Sequence, residues 1–252
     1  MNKTILITGA TAGIGKAITI EFAKNGFNII ITGRRKEKLA ELEKELLQQG
    51  KSKVLSLNFD VRRLDEVNAA IDNLPAEWKK IDILVNNAGL ASGLEHVDKG
   101  NIDDWEKMID TNLKGLLYMT KAIAPIMVAA NSGHIINIGS IAGKEAYENG
   151  NVYCATKAAV KSLSKSMRID LLKHNIKVTC IEPGMVETEF SLVRFHGDAE
   201  RAGNVYKGID ALTGDDIAQV VYWCATLPAH VCINELEVTP IQQASAFYNY
   251  RK

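Results

Sequence analysis

The sequence lacks a surplus of charge of either sign. Its 252 residues include 30 Lys and Arg and 30 Asp and Glu. Binding to nucleic acid through its phosphates needs an excess of basic side chains on some face of the protein. The charge balance therefore argues against a nucleic-acid partner and favours a small-molecule ligand.

Cysteine and histidine are scarce, and neither is grouped along the chain. The four cysteines form no CxxC pair, and the five histidines never fall at the spacing of helical metal ligands. We therefore expect reduced thiols, no metal site and a cytoplasmic location.

Long apolar runs are missing as well. The first apolar run, 4–8, is too short for the core of a signal peptide. The longest stretch without Lys, Arg, Asp or Glu runs from Ala122 to Gly143 but contains Asn131 and Asn137. We interpret it as a helix end, a turn and a strand, and we expect no membrane partner.

Short β-branched runs alternate with longer segments of helical periodicity along the whole chain. With 46% hydrophobic and 24% charged residues, the composition is that of a globular protein and not of a disordered one. The short runs predict strands at 4–8, 27–32, 53–59, 82–86, 134–138, 176–181 and 232–238. The periodic segments predict helices near 14–25, 36–49, 63–74, 104–129, 151–174 and 214–226.

This alternation predicts parallel strands joined by right-handed helical crossovers. The expected fold is α/β, a Rossmann-like doubly wound sheet of seven mostly parallel strands with helices on both faces. No linker-like composition interrupts the pattern, so we expect one dinucleotide-binding and catalytic domain over residues 1–252. A long irregular stretch predicts a substrate lid at about 185–212.

A glycine-rich turn lies between the first predicted strand and the first predicted helix. It reads TGATAGIG over residues 8–15. Backbone N–H groups and the positive end of a helix converge at such a turn, which suits a pyrophosphate. An ordinary tight turn is the alternative, since the spacing is GxxxGxG and not the GxGxxG of the general dinucleotide fingerprint. The residues expected to bind a cofactor here are Gly9, Thr11, Ala12, Gly13, Ile14 and Gly15.

Two adjacent arginines follow the second predicted strand. A dinucleotide site that selects NAD usually has an acidic residue there for the ribose 2′-hydroxyl. This chain has Arg34 and Arg35 instead, and guanidinium groups can bind a 2′-phosphate through charge-assisted hydrogen bonds. The pair therefore predicts NADP as the cofactor. The alternative is two solvated residues that open the next helix.

A tyrosine and a lysine lie one turn apart on the predicted helix 151–174. They are Tyr153 and Lys157, which share one face of that helix. An isolated tyrosine has a pKa near ~10, and a neighbouring ammonium group lowers that pKa by favouring tyrosinate. Ser140 ends the fifth predicted strand, at the edge of the sheet where open α/β folds bind ligands. The three residues are candidates for proton exchange with an alcohol, and a simple pair on the helix surface is the alternative.

Taken together, the motifs resemble those of the short-chain dehydrogenase/reductase family over essentially the whole chain. The matching residues are TGATAGIG at 8–15, Asp60-Val61, Asn86-Asn87-Ala88-Gly89, Asn112, Ser140, Tyr153 with Lys157, and Pro183-Gly184 with Thr188. The resemblance implies that Tyr153 is the general acid/base and that Ser140 hydrogen-bonds the substrate oxygen. It also implies that Lys157 holds the nicotinamide ribose and depresses the tyrosine pKa, and that Asn112 anchors a proton-relay water.

The same resemblance implies further contacts along the cofactor. The cofactor supplies the hydride, and the protein supplies geometry and proton transfer. The implied contacts are Asp60 and Val61 with adenine, Asn87 with the adenosine-side ribose beside Ala88 and Gly89, and the backbone of Pro183, Gly184, Val186 and Thr188 with the nicotinamide carboxamide.

Several longer stretches resemble one branch of that family, the NADP-dependent 3-hydroxy acid dehydrogenases that act on serine, L-allo-threonine and related β-hydroxy acids. Among these stretches are GHIINIGSIAG, NVYCATKA and IEPGMVETEFSLVRFHGD. The branch implies hydride transfer between NADP(H) and the β-carbon of a small 3-hydroxy acid. Such a substrate needs its carboxylate held, and we expect Arg194 in the lid to be the clamp. A surface arginine on a mobile loop is the alternative.

Two other functions compete with this interpretation. A 3-oxoacyl thioester reductase would need a basic surface for an acidic carrier protein, whereas the helix predicted at 214–226 opens with Asp215 and Asp216. A regulator that binds NADP without turnover usually lacks part of the Asn, Ser, Tyr and Lys set, which is complete here. The family likeness also suggests a homotetramer in which helices 104–129 and 151–174 pair across a two-fold axis.

Overall fold

The computed structural model describes residues 2–48 and 50–252. The strands are β1 (Thr4–Ile7), β2 (Asn28–Gly33), β3 (Val54–Asn58), β4 (Ile83–Asn86), β5 (Gly133–Ile138), β6 (Ile176–Pro183) and β7 (Glu235–Val238). They form one sheet in the order β3-β2-β1-β4-β5-β6-β7, and every neighbouring pair is parallel. The strand order reverses between β1 and β4, which is the switch point where such sheets bind ligands. The predicted fold class is confirmed.

The helices connect these strands and cover both faces of the sheet. They are α1 (Gly13–Lys24), α2 (Lys36–Gln48), α3 (Leu64–Asp72), α4 (Ile102–Ile109), α5 (Leu116–Ala130), α6 (Asn151–Leu171), α7 (Phe190–Arg194), α8 (Ala199–Asn204) and α9 (Gly214–Thr226). Short polar side chains set several helix starts. Asn101 accepts a hydrogen bond from the Asp103 backbone N–H at 2.8 Å, and Thr213 forms a capping box with Asp216.

Strands β1 to β6 contribute alternate residues to two separate hydrophobic cores. On β1, the side chains of Ile5 and Ile7 pack with α1, α2 and α9, whereas Leu6 packs with α3, α5 and α6. All three are fully buried. Strands buried on both faces explain the near-continuous Ile, Val and Leu of the strand sequences.

The helix predicted at 104–129 has an interruption. A π-helical segment, Asp110–Gly115, joins α4 to α5, so the polypeptide makes a wider turn at this point. The whole stretch Ile102–Ala130 is long and apolar enough to cross a membrane by length and composition alone. Core helices meet the same criterion, and Met119, Ile123 and Met127 of α5 are fully buried in the core.

The predicted lid region contains α7 and α8. Val186 and Leu212 form a parallel β-bridge at its base, and Glu187 donates a backbone hydrogen bond to the Leu212 carbonyl at 2.8 Å. The two ends of the predicted lid region therefore lie side by side, and the residues between them extend over the carboxyl edge of the sheet.

Candidate active site

A cavity of about 580 Å³ lies at the carboxyl ends of the strands. It extends from the glycine-rich turn after β1 to the lid. The structure brings to its wall all the residues that the sequence predicted for binding and catalysis, except Gly15 and Asn112. The predicted residues that line it are Gly9, Thr11, Ala12, Gly13, Ile14, Arg34, Arg35, Asp60, Val61, Asn87, Ala88, Gly89, Ser140, Tyr153, Lys157, Pro183, Gly184, Val186, Thr188 and Arg194.

The glycine-rich turn has the shape of a phosphate cradle. Gly9 and Gly13 have positive φ angles of 67° and 50°. A Cβ on Gly15 would lie 2.3 Å from the Gly9 carbonyl oxygen, so only glycine fits there. Ala12 precedes α1 and offers no side-chain cap, which leaves the first N–H groups of α1 to an anionic group of a ligand. The turn therefore fits a dinucleotide pyrophosphate.

Asn87 braces this turn from the neighbouring strand. Its amide nitrogen Nδ2 donates to the carbonyl oxygens of Thr8 at 2.8 Å and Gly9 at 3.2 Å. The Thr8 hydroxyl in turn accepts the backbone N–H groups of Asn87 and Ala88. The ends of β1 and β4 are thereby held together at the switch point of the sheet.

Charged side chains form the end of the cavity next to β2 and β3, which we call the adenosine end because the sequence predicts adenosine contacts there. Arg34 is 57% exposed and reaches Asp60 only at 3.9 Å. Arg35 donates to the Thr11 hydroxyl from Nε at 3.1 Å and from Nη2 at 2.9 Å. Burial raises the pKa of Asp60, but hydrogen bonds from Arg62 outweigh this effect and hold the pKa below its usual value. Asp60 is therefore an anion at neutral pH, and Arg62 pairs with it directly.

The proton-transfer candidates lie at the other end, on β5 and α6. Tyr153 is only 8% exposed and Lys157 only 7%. The Lys157 ammonium group donates to the Ile138 carbonyl at 2.8 Å and lies 5.9 Å from the centre of the Tyr153 ring. Ser140 begins a 3₁₀ turn and accepts the Ala142 backbone N–H at 3.1 Å. The three side chains therefore face one part of the cavity.

Burial shifts the acid–base chemistry of this end. It raises the pKa of Tyr153 well above its usual value of 10, while a hydrogen bond with Ser140 and the charge of Arg194 act in the opposite direction. It lowers the pKa of Lys157 from 10.5 to about 8. Without a cofactor, Tyr153 is thus a neutral proton donor at neutral pH, and the guanidinium of Arg194 is the cation that favours its ionisation.

Asn112 lies in the π-helical segment, behind the cavity wall. Its Oδ1 accepts the Leu90 backbone N–H at 2.8 Å, and its Nδ2 donates to the Leu90 carbonyl at 2.8 Å and to the Thr156 hydroxyl at 3.1 Å. A Cβ on Gly89 would lie 3.3 Å from Asn112 Oδ1 and 3.6 Å from Lys157 Nζ. Asn112 therefore ties the segment after β4 to α6, next to the lysine.

Helix α7, in the predicted lid region, places Arg194 over the catalytic tyrosine candidate. Its guanidinium carbon lies 5.1 Å from the ring centre of Tyr153, 5.6 Å from that of Tyr147 and 5.7 Å from that of Phe190. Nη2 donates to the Tyr147 hydroxyl. Nε is buried and has no hydrogen-bond partner among the described residues. Because Nε is closed off from solvent, an anionic group of a ligand would have to bind the part of the Arg194 side chain that lines the cavity.

Sequence reasoning missed several residues of the cavity wall. Tyr147 and Phe190 form the aromatic surroundings of Arg194, and Gln243 accepts the Met185 backbone N–H at 2.8 Å. Arg251 donates to the carbonyls of Lys207 and Val205 in the lid. No local motif marks Gln243 and Arg251, because the end of the chain reaches the site only through the tertiary fold.

Comparison with known proteins identifies the family. The family model described as "short chain dehydrogenase" matches residues 3–197. The chain belongs to this family. An NADP-dependent 3-hydroxy acid dehydrogenase YdfG of Salmonella typhi is 53% identical over 243 residues, which cover 96% of each chain. The NADP-dependent 3-hydroxy acid dehydrogenase of Schizosaccharomyces pombe is 45% identical over 251 residues, covering 99% of this chain and 97% of the relative.

A solved structure of this family has nearly the same shape. The closed form of a serine dehydrogenase complexed with NADP⁺ matches with a TM-score of 0.92 at 51% identity, covering 99% of both chains. A serine dehydrogenase from Escherichia coli matches with a TM-score of 0.83 at 47% identity, covering 96% of this chain and 99% of that one. The comparisons confirm the predicted family and the predicted cofactor, NADP. They also confirm that the protein is an oxidoreductase that acts on hydroxyl groups.

Proposed function

We propose that this short chain dehydrogenase oxidises the β-hydroxyl group of small 3-hydroxy acids with NADP and catalyses the reverse reduction. The guanidinium group of Arg194 carries the proposal. Its carbon lies 5.1 Å from the centre of the Tyr153 ring, and the side chain lines the cavity. A carboxylate bound there would have its β-carbon within reach of the tyrosine. The relatives named as 3-hydroxy acid and serine dehydrogenases support the same substrate class.

The residues present fit the cofactor along the whole cavity. The turn at 9–15 would hold the pyrophosphate, Asp60, Val61 and Asn87 would face the adenosine, and Arg34 and Arg35 would bind the 2′-phosphate. Ala88, Gly89 and the backbone of Pro183, Gly184, Val186 and Thr188 would contact the remainder, and Lys157 would hold the nicotinamide ribose. NADP supplies or accepts the hydride when it is bound.

Proton transfer is the task of the chain's own residues. Tyr153 would exchange the proton of the substrate oxygen, and Ser140 would donate a hydrogen bond to that oxygen. Ionisation of Tyr153 needs positive charge nearby, because burial raises its pKa. Arg194 supplies part of that charge, and Lys157, whose Nζ lies 5.9 Å from the centre of the Tyr153 ring, would be the second cation beside the tyrosine. Asn112 would position the chain next to Lys157 and a relay water.

Nicotinamide absorbance with purified enzyme tests this function directly. NADP and NAD are offered in turn with L-allo-threonine, L-serine, 3-hydroxypropionate and 3-hydroxyisobutyrate, and acetoacetyl thioester is offered with NADPH. Turnover of the acids with NADP is the expected result. Turnover of the thioester alone would move the substrate to a 3-oxoacyl thioester reductase, and NADP binding without any turnover would indicate a regulator.

We further propose a homotetramer, built through the long helices, in the cytoplasm. Apolar side chains are exposed on these helices and at their ends, with 68% of Ile169 and 71% of Leu172 accessible in the single chain. Ile109 and Leu117, on either side of the π-helical segment, are also exposed. Sedimentation equilibrium should give four times the mass of the chain. A monomer at micromolar concentration would contradict the proposal.

A further inference from the structure

Two basic side chains at the adenosine end already hold an anion of the protein itself. Glu189 accepts a hydrogen bond from Arg35 Nη1 at 2.9 Å through Oε2, and from Lys38 Nζ at 3.2 Å through Oε1. Hydrogen bonds and charge from the two cations hold the pKa of Glu189 below its usual value, with the bond from Arg35 as the largest cause. The carboxylate is therefore ionised at neutral pH, and Arg35 and Lys38 together form an anion site.

This anion site overlaps the site proposed for the cofactor's 2′-phosphate. Arg35 and Glu189 both line the cavity. All three nitrogen atoms of the Arg35 guanidinium donate to protein oxygens, since Nε and Nη2 bond Thr11 and Nη1 bonds Glu189. Two of the five N–H groups of Arg35 remain for a ligand, but a phosphate that binds them must lie close to the negative charge of Glu189 or displace it. Arg34 is different, because it is 57% exposed and its contact with Asp60 is as long as 3.9 Å.

We propose that Glu189 is a specificity-determining residue that competes with the 2′-phosphate of NADP for Arg35 and Lys38. Arg34 is then the cation that receives the phosphate without displacing a partner. Lys38 joins the set of residues that discriminate NADP from NAD, although it is not adjacent to the arginine pair in sequence. The proposal rests on the proposed role of the arginines in binding NADP.

The competition also couples the cofactor to the lid. Glu189 immediately precedes α7, which carries both Phe190 and Arg194 to the Tyr153 ring. While Glu189 is bound to Arg35 and Lys38, the start of α7 is tied to the region where α2 begins. A 2′-phosphate that takes over these cations releases this tie, whereas NAD, which has no such phosphate, leaves it in place.

The ion pairs are half exposed, with 43% to 46% of each side chain accessible, so the effect is modest. Removing the competing carboxylate with Glu189→Gln should tighten NADPH binding about fivefold, which corresponds to about 1 kcal/mol. The dissociation constant of NADH should stay within about twofold of the wild type. Nicotinamide fluorescence titration of the purified enzyme without substrate measures both constants.

A second glutamate of the same segment provides the matched control. Glu187 is also exposed, and no ion pair involves it among the described residues. Glu187→Gln changes the net charge by the same amount and should leave the NADPH constant near that of the wild type. In a Lys38→Met background, the gain from Glu189→Gln should shrink, because one of the two released cations is missing.

Hydrogen exchange of the cofactor-free enzyme tests the link to the lid. Amides of residues 190–194 should exchange faster in Glu189→Gln than in Glu187→Gln, since the tie to Arg35 and Lys38 is lost. Unchanged or weaker NADPH binding in Glu189→Gln, or equal tightening of NADPH and NADH, would overturn the proposal. The binding assays contain no hydroxy acid, so an error in the proposed substrate would leave their outcome unaffected.

Discussion

The two ends of the cavity use charge in opposite ways. At the adenosine end, Arg34 and Arg35 are about half exposed and are held by ion pairs that water and salt weaken. At the catalytic end, Tyr153 and Lys157 are buried, and burial shifts their pKa values strongly. We infer that the exposed end adjusts affinity in small steps, whereas the buried end determines whether the reaction occurs at all.

Replacement of Tyr153 by phenylalanine should show the largest difference between an effect on catalysis and an effect on cofactor affinity. The variant keeps the ring but lacks the proton-exchanging hydroxyl, so kcat should fall by about 10³-fold or more. NADPH affinity, measured by fluorescence, should stay near that of the wild type because the adenosine end is unchanged. Substantial remaining turnover would contradict the role of Tyr153 as the general acid/base.

The buried lysine should make stability depend on pH in the alkaline range. The pKa of Lys157 is about 8 in the folded protein and 10.5 for a solvated lysine, so between these values the unfolded chain binds more protons. The free energy of unfolding therefore gains a contribution as the pH rises from 8 to 10.5, of about 3 kcal/mol in total. Below pH 8 both states bind the proton, and the full cost of burying the ammonium group remains.

Urea denaturation at several pH values measures this contribution. Lys157→Met has no titrating group at that position and is the reference for all other groups. As the pH rises, the free energy of unfolding of the wild type should increase relative to that of the variant. A pH-independent difference would mean that the Lys157 side chain is not desolvated.

Removal of the lid guanidinium should act on the substrate and not on the cofactor. Arg194→Met removes the charge but keeps much of the apolar stem, and it should raise KM for 3-hydroxy acids roughly 10- to 100-fold, the expected loss for a charged hydrogen bond. NADPH affinity should not change. Arg201 is a suitable control, because it also lies in the lid but stacks on Phe195 outside the cavity wall. Equal effects of Arg194→Met and Arg201→Met would contradict the carboxylate clamp.

The smallest of these effects belongs to the exposed end. Arg34→Ala should reduce the preference for NADPH over NADH about tenfold, with NADH affinity itself nearly constant. The preference of the wild type should also decline as salt concentration increases, because the ion pairs are exposed. A preference that neither the substitution nor salt changes would assign the 2′-phosphate to other residues.

Local patterns in the sequence were sufficient for the sheet, whereas many of the predicted site residues came from the resemblance to a known family. Strand and helix alternation predicted all seven strands within a few residues, because strands buried on both faces have a strong compositional signal. The glycine spacing and the Tyr153 and Lys157 pair predicted residues that line one cavity. Their roles in binding and catalysis stay predictions.

Other features depend on tertiary contacts and have no local signal. The π-helical turn at Asp110–Gly115 leaves the hydrophobic pattern of the long helix almost unchanged, so periodicity predicted one helix instead of two. Glu189 and Lys38 are 151 residues apart in sequence, and only the fold brings them together. The same is true of Gln243, which supports Met185 from the end of the chain.

The alternation of Ile5, Leu6 and Ile7 between two cores affects how this protein can evolve. Loss of a single codon within β1 would exchange the two sets of side chains between the faces of the sheet. It would also retract the glycine-rich turn by roughly 3 Å, one residue's rise along a strand. Insertions and deletions should therefore be tolerated in the surface connections, but every surviving lineage must keep the length of the segment from β1 to Gly15.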